Sequence, residues 1–295
     1  MQIISRIDAA FFAFYALLIP LVGALLYVIT GRALVLLMVP LLLTVYLSAV
    51  LPKPLRRRRA AALPFPTSWR DFLVVCSAYY RGLDESGKKK FERDIALFLS
   101  GDSIVAIGGK EVAWQTRLRI GAGVAAMLHG RPGWEPPLPD GVTVYPGSSF
   151  DLNYQAGKGT IAGQAPEGGP LLIAEDNLAL RPGAFEPGRN ILVHELAHFF
   201  DREQRKAGNG FPVRSRRGEG ASWADFLTTE WQRHLRCGSI LPSYAAVNEA
   251  EFFAVACELF FEDPHSLHAA HPELYALLGD FFNQDPRRVL TARSN

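Results

Sequence analysis

The sequence predicts an α+β fold: a mainly helical domain with a small sheet, preceded by two transmembrane helices. Three observations carry that expectation. Two stretches without a charged residue, Ala9 to Thr30 and Ala33 to Leu51, are separated only by Gly31-Arg32. Short apolar runs further on, Ile104 to Ile107, Val142 to Tyr145 and Leu171 to Ala174, have strand length and turn residues around them. Much of the remainder repeats its apolar residues at helical spacing. The chain accordingly divides into a membrane hairpin over 1–52, a basic and proline-rich linker over 53–66, and one folded domain over 67–295.

At 1.5 Å per residue, a helix of about 20 residues matches a hydrocarbon core of roughly 30 Å, so each uncharged stretch can cross it. Pro20 and Pro40 fall near the midpoints, where a kink is tolerated within a span. The run Lys53-Pro54-Leu55-Arg56-Arg57-Arg58-Arg59 then places five positive charges in seven residues, a cluster that stays on the cytoplasmic side. The reading is a hairpin in a bacterial inner membrane, touching lipid through its apolar faces, with the domain in the cytoplasm. A cleaved signal peptide fits less well, because the apolar region far exceeds an h-region. The net charge of +2 vanishes once the basic run is set aside, so the domain has no general affinity for nucleic acid. Cys76, Cys237 and Cys257 lack C-x-x-C spacing and read as reduced thiols.

Ala60 to Pro66 leads from membrane to domain, and within the domain Trp69 to Tyr80 and Lys89 to Leu99 are helices. Arg117 to His129 is a small-residue helix stopped by Gly130 and Pro132. Residues 147–170 are rich in glycine and read as a surface excursion. The strand Leu171 to Ala174 follows, and a proline- and glycine-rich loop leads into a helix from Ile191. Asn248 to Phe261 is a highly apolar, buried helix. Phe281-Phe282, Leu274 to Leu278, Trp223, Trp231 and Leu235 read as core. His265, His268 and His271 stand three apart, but Pro264 and Pro272 break the segment and no carboxylate or thiol set converges there, so the row is not read as a metal site.

The chemistry concentrates in His194-Glu195-Leu196-Ala197-His198. Histidines four apart share one helix face, so both imidazoles can reach one metal ion. Glu195 points about 100° away from His194, where it can address a water instead of the metal. Ile191-Leu192-Val193 and Phe199-Phe200 bury the helix, and buried polar groups are costly unless they bind something. A catalytic zinc needs another protein ligand. Asp201 is about 10 Å along the helix axis from His194, too far to share a metal comfortably, and reads as a supporting or structural residue. Glu203 and Glu219 lie in or near a polar, loop-like segment and offer less rigid ligands. Glu251, in the first turn of the Asn248 helix, has two readings on spacing alone: metal ligand, or closure of a capping box with Asn248.

The pentapeptide with Asp201, together with Glu251-Phe252-Phe253-Ala254-Val255-Ala256 and Glu258-Leu259-Phe260-Phe261, resembles the metallopeptidases of the Mlc titration factor A family. Phe65-Pro66 with Trp69, Tyr80 before Leu83, Gly108-Gly109 before Glu111-Val112, Tyr145-Pro146-Gly147 and Gln284-Asp285-Pro286 extend the resemblance over about 65–288. It implies a zincin-like metallopeptidase domain, related to the catalytic domain of anthrax lethal factor, in which an edge strand beside the active-site helix, here Leu171 to Ala174, pairs with an extended peptide. It implies one Zn²⁺ per chain on His194, His198 and Glu251, with Tyr244, seven residues before Glu251, assisting the reaction. The hairpin is an addition to the pattern of soluble members, and 147–170 is longer than theirs.

The expected function is hydrolysis of a peptide or protein substrate. Glu195 acts as general base, Tyr244 stabilises the oxyanion, and Asp201 and Glu258 are candidates for orienting the ligand histidines. The alternative is a membrane-tethered module that sequesters a cytosolic regulatory protein such as a transcriptional repressor, with peptidase activity secondary or absent.

Overall fold

The structure is a computed structural model that describes residues 1–4, 6–101, 103–138, 140–153, 155, 159–178, 190–206, 223–237 and 239–290. The two uncharged stretches form helices α1 (Arg6–Thr30) and α2 (Leu34–Val50), packed against each other. A Cβ on Gly23 would stand 2.2 Å from Val39 Cγ2, so any larger residue would have to displace the Val39 side chain. The Tyr46 ring stacks on Phe12, and its hydroxyl donates to the Phe11 carbonyl. Leu17, Val28 and Leu34 project outward, each more than 70% exposed. The segment Ala9–Thr30 of α1 is long and apolar enough to cross a membrane by itself. The second expected span is shorter: α2 has 17 residues, and it reaches spanning length only together with the next helix, α3 (Pro52–Ala62), from which it is bent by 44°.

The basic run expected in a linker is therefore helical, with Pro52 at the first turn, where its missing N–H costs nothing. Arg57 does not join the outward-facing cations. It is buried and grips both carboxylate oxygens of Glu135 at 3.0 and 2.6 Å, while also donating to the Gln2 carbonyl. The Met1 ammonium meets Asp94 at 2.9 Å. Both ends of the hairpin are thus fastened to the domain.

Residues Thr67–Cys76 form α4 and Ala78–Gly82 form α5; the expected single helix is interrupted at Ser77, whose hydroxyl accepts from the Tyr80 amide and starts α5 afresh. Asp84 caps α6 (Glu85–Leu99), which packs on α7 (Trp114–Leu128) and buries Phe91, Ile95, Leu97 and Phe98. Strands β1 (Ile104–Ala106), β2 (Val142–Tyr145), β3 (Gly163–Gln164) and β4 (Leu171–Ala174) form one sheet in the order β1-β2-β4-β3. The first three in that order run parallel, and β3 is antiparallel to β4. All four residues of β4 are buried, as an interior strand covered on both faces requires.

This corrects one expectation. The strand beside the site helix at the sheet edge is β3, inside the supposed surface excursion, while β4 is interior. Two residues are too few for a visible period-2 signal.

Helix α8 (Ile191–Lys206) lies against α7 and packs on α10 (Glu249–Glu262). Between them in sequence comes α9 (Trp223–Cys237); after them come α11 (Pro264–Ala270) and α12 (Pro272–Phe282). Phe281 and Phe282 of α12 close the core on Phe200, Phe253, Phe260 and Phe261. Trp231 packs partly buried against that core, whereas Leu235 is 49% exposed, contrary to expectation. Residues 179–189, expected as a loop, Glu219 and the side chains of Trp223 and Cys237 lie outside the described residues. Cys76 and Cys257 are free thiols.

Candidate metal centre

Asn190 starts the helix that carries the site. Its side-chain oxygen accepts from the Val193 amide while its amide nitrogen donates to Glu262 on α10, so one residue caps α8 and ties the two helices together. One turn later His194 and His198 face α10, and Glu251 projects towards them from the first turn of that helix. His194 Nε2 stands 3.0 Å from Glu251 Oε2 and 3.2 Å from His198 Nε2, and His198 Nε2 is 3.6 Å from the same carboxylate oxygen.

Both readings of Glu251 meet here. Its backbone N–H donates to the Asn248 side chain at 2.9 Å, which is the helix cap, but its carboxylate turns to the histidines instead of closing a box. These donors are the group among the described residues whose ligand atoms all lie within 4.8 Å of one another. Two donors held tetrahedrally by one zinc at about 2.0–2.1 Å are about 3.4 Å apart. The observed separations fit that ion.

The surroundings favour positive charge. Burial would lower the His194 pKa, but hydrogen bonds to Glu251 and Glu258 raise it to about 10. Burial would likewise raise Glu251, yet hydrogen bonds from His194 and His198 hold its carboxyl down at about 2. Glu258 Oε1 lies 2.7 Å from His194 Nδ1, which turns Nε2 towards the cluster. The Glu258 side chain is almost wholly buried, and burial pushes its pKa up.

Glu195 is buried beside the cluster, and burial raises its pKa against the pull of the two histidines, the direction a base working near neutrality needs. Its carboxylate borders β3. A Cβ on Gly163 would fall 2.8 Å from Ile191 Cγ1 and 2.9 Å from Glu195 Cγ, so the strand can lie this near only as glycine. The Ala165 backbone hydrogen-bonds to Glu195, and the Ala165 carbonyl accepts from Arg202 Nη1 at 2.8 Å. Arg202 is stacked over the Phe199 ring at 4.5 Å. Glu195, β3 and Arg202 therefore form one connected unit. Sequence reasoning missed Gly163, Ala165 and Arg202, and no local pattern marks them. Asn190 was findable as an N-cap residue directly before an apolar helical run.

Tyr244 stands on the 3-10 turn Ser243–Ala246, its ring 5.9 Å from that of His194. It is 54% exposed; partial burial and its hydrogen bond to Glu251 both raise its pKa. Asp201 is buried on α8 one turn past His198. Glu203, expected in a loop, is still helical. The distal histidines scatter: His265 Nε2 donates to the Leu290 carbonyl, His268 packs on Tyr275, and His271 lies 3.9 Å from Glu230.

Residues 53–283 match the family model described as glucose-regulated metallo-peptidase M90. The chain belongs to this family. The M90 match runs from the second residue of α3 through the whole of α12, so the basic helix falls within the family region while α1 and α2 precede it. An uncharacterized protein from Synechocystis sp. is 28% identical over 78% of this chain and 89% of its own length. The proteins named Mlc titration factor A from Edwardsiella ictaluri and Yersinia pestis are 32% and 31% identical, each over 44% of this chain. The aligned part spans about half the length of those two relatives. The M90 chain thus carries a metallopeptidase-type domain, with a three-residue cluster suited to a metal.

Proposed function

We propose that the protein is a membrane-anchored zinc peptidase, with one Zn²⁺ held by His194, His198 and Glu251. The observation that carries the reading is the convergence of those three donors beside a buried carboxylate, Glu195, that is not among them. When bound, the ion supplies Lewis acidity towards water and the scissile carbonyl. Glu195 takes the proton of the attacking water and passes it to the leaving amine. The Ala165 contact holds the carboxylate in place for both transfers. The Tyr244 hydroxyl donates to the oxygen that becomes negative as the carbonyl is attacked. Glu258 orients His194, and Asp201, buried one turn beyond His198, supports the same helix face. An extended peptide substrate lies along the β3 edge.

The anchor is the hairpin of α1 and α2 over 1–52, in contact with lipid at a bacterial inner membrane, and the five cations of 53–59, on α3, hold the domain at the cytoplasmic face. A second reading has one specific support, the name Mlc titration factor A borne by two relatives: the domain sequesters a cytosolic regulatory protein such as a transcriptional repressor, and peptide cleavage is secondary or absent. Glu195→Gln in the full chain separates the two. We expect cleavage of an unstructured peptide to fall about 10²–10⁴-fold with one zinc retained by metal analysis; unchanged turnover would overturn the peptidase reading.

A further inference from the structure

Where α3 leaves the hairpin it crosses the domain and encloses a cleft of about 450 Å³. Lys53 and Arg56 line the α3 side, Pro136 to Leu138 contribute apolar surface on the far side, and the buried Leu97 and Phe98 at the end of α6 back the floor. The cleft is therefore two-natured, cationic along α3 and apolar beside it. Of its two carboxylates, Glu135 is engaged on both oxygens by Arg57, and Glu203 is the other. Three cations against two acids leave the lining net positive. The Ser103 hydroxyl, in the same wall, is buried and has no hydrogen-bond partner among the described residues. It is a donor in need of an acceptor.

We propose that this cleft binds the headgroup of an anionic phospholipid. Position selects lipid over other anions. Pro52, next to Lys53, follows α2 directly, and α2 exposes Leu37, Leu41, Leu42 and Val45. A phosphate held at Lys53 and Arg56 would thus lie at the end of an apolar helix surface, where acyl chains can continue. Arg57 ties the two walls together: its grip on Glu135 fastens α3 to the domain beside the cleft. The bound lipid would join hairpin and domain at a set orientation. The proposal rests on the membrane-anchored reading but not on the peptidase reading.

The test uses the purified full chain in neutral detergent, titrated with dihexanoyl phosphatidylglycerol, dihexanoyl phosphatidylcholine or inorganic phosphate, with Tm as readout. The anionic lipid is expected to raise Tm saturably, and the other two are not. Lys53→Gln is expected to shift the half-maximal concentration about fivefold upward, and Lys53→Gln/Arg56→Gln about 25-fold. Arg58→Gln/Arg59→Gln alters exposed side chains outside the cleft and is expected to shift it less than about twofold. Equal response to phosphatidylcholine, full response to phosphate alone, or equal weakening by the outer pair would each overturn the proposal. The single variant keeps the test decisive if the double variant unfolds. Vesicle flotation reads membrane anchoring separately, because short-chain lipids need no bilayer.

Discussion

The metal centre has two sides built on opposite terms. The inner side is α8 against α10, two long helices whose facing residues are almost all buried, and it contributes His194, His198, Glu251 and Glu258. The outer side is β3, two residues at a sheet edge, and the short turn of Tyr244, half of whose surface meets solvent. Groups that must hold an ion at fixed separations come from rigid, packed elements. Groups that must meet a substrate come from an open edge. Glu195 bridges the two, carried by α8 yet held by the backbone of Ala165 just beyond β3.

Substitutions on the two sides should fail differently. The largest effect is expected from Glu251→Ala on the inner side, which removes a ligand and leaves the two imidazoles facing each other. Zinc affinity should fall by well over the roughly 100-fold seen when only an outer partner is lost, and cleavage with it, both read by metal titration and peptide assay. Full zinc retention would mean that the inner side is not the ligand set. Next is Gly163→Val on the outer side. The added side chain must push β3 off Glu195, and a displacement of about 1 Å can cost about 10²-fold in turnover while zinc stays bound. If zinc were lost as well, the division between the sides would collapse. The smallest effect is expected from Tyr244→Phe. A dry oxyanion donor is worth about 10²–10³ in kcat, and one half in water should be worth about tenfold, with stability changed by less than about 0.5 kcal/mol. A large Tm drop in this variant would show that Tyr244 belongs to the packed side.

A similar contrast separates the hairpin from the helix that follows it. The apolar lengths of α1 and α2 were plain from composition, because absence of charge is a local property. The role of Arg57 was hidden among four arginines in a row. Only its position on one face of α3, opposite a carboxylate 78 positions away, takes it out of the membrane-facing set. The break at Ser77 was hidden in the same way: periodicity runs through it, while the side-chain cap that restarts the helix depends on backbone geometry.

The amino-acid sequence alone determined whatever repeats within a turn or two of chain. The four-residue spacing of His194 and His198, the apolar flanks that bury them, the cap at Asn248, three of the four strands and the apolar spans all follow from neighbours a few positions apart. The resemblance of the Glu251 segment to known metallopeptidases supplied the candidate third ligand, for which spacing alone left two readings. Tertiary structure decided the rest. It set Glu258 against His194 across 64 positions, and it brought the two-residue strand β3 to the edge beside Glu195. The physical reason is that such contacts depend on how helices and strands pack, and packing chooses among partners that local spacing leaves equivalent.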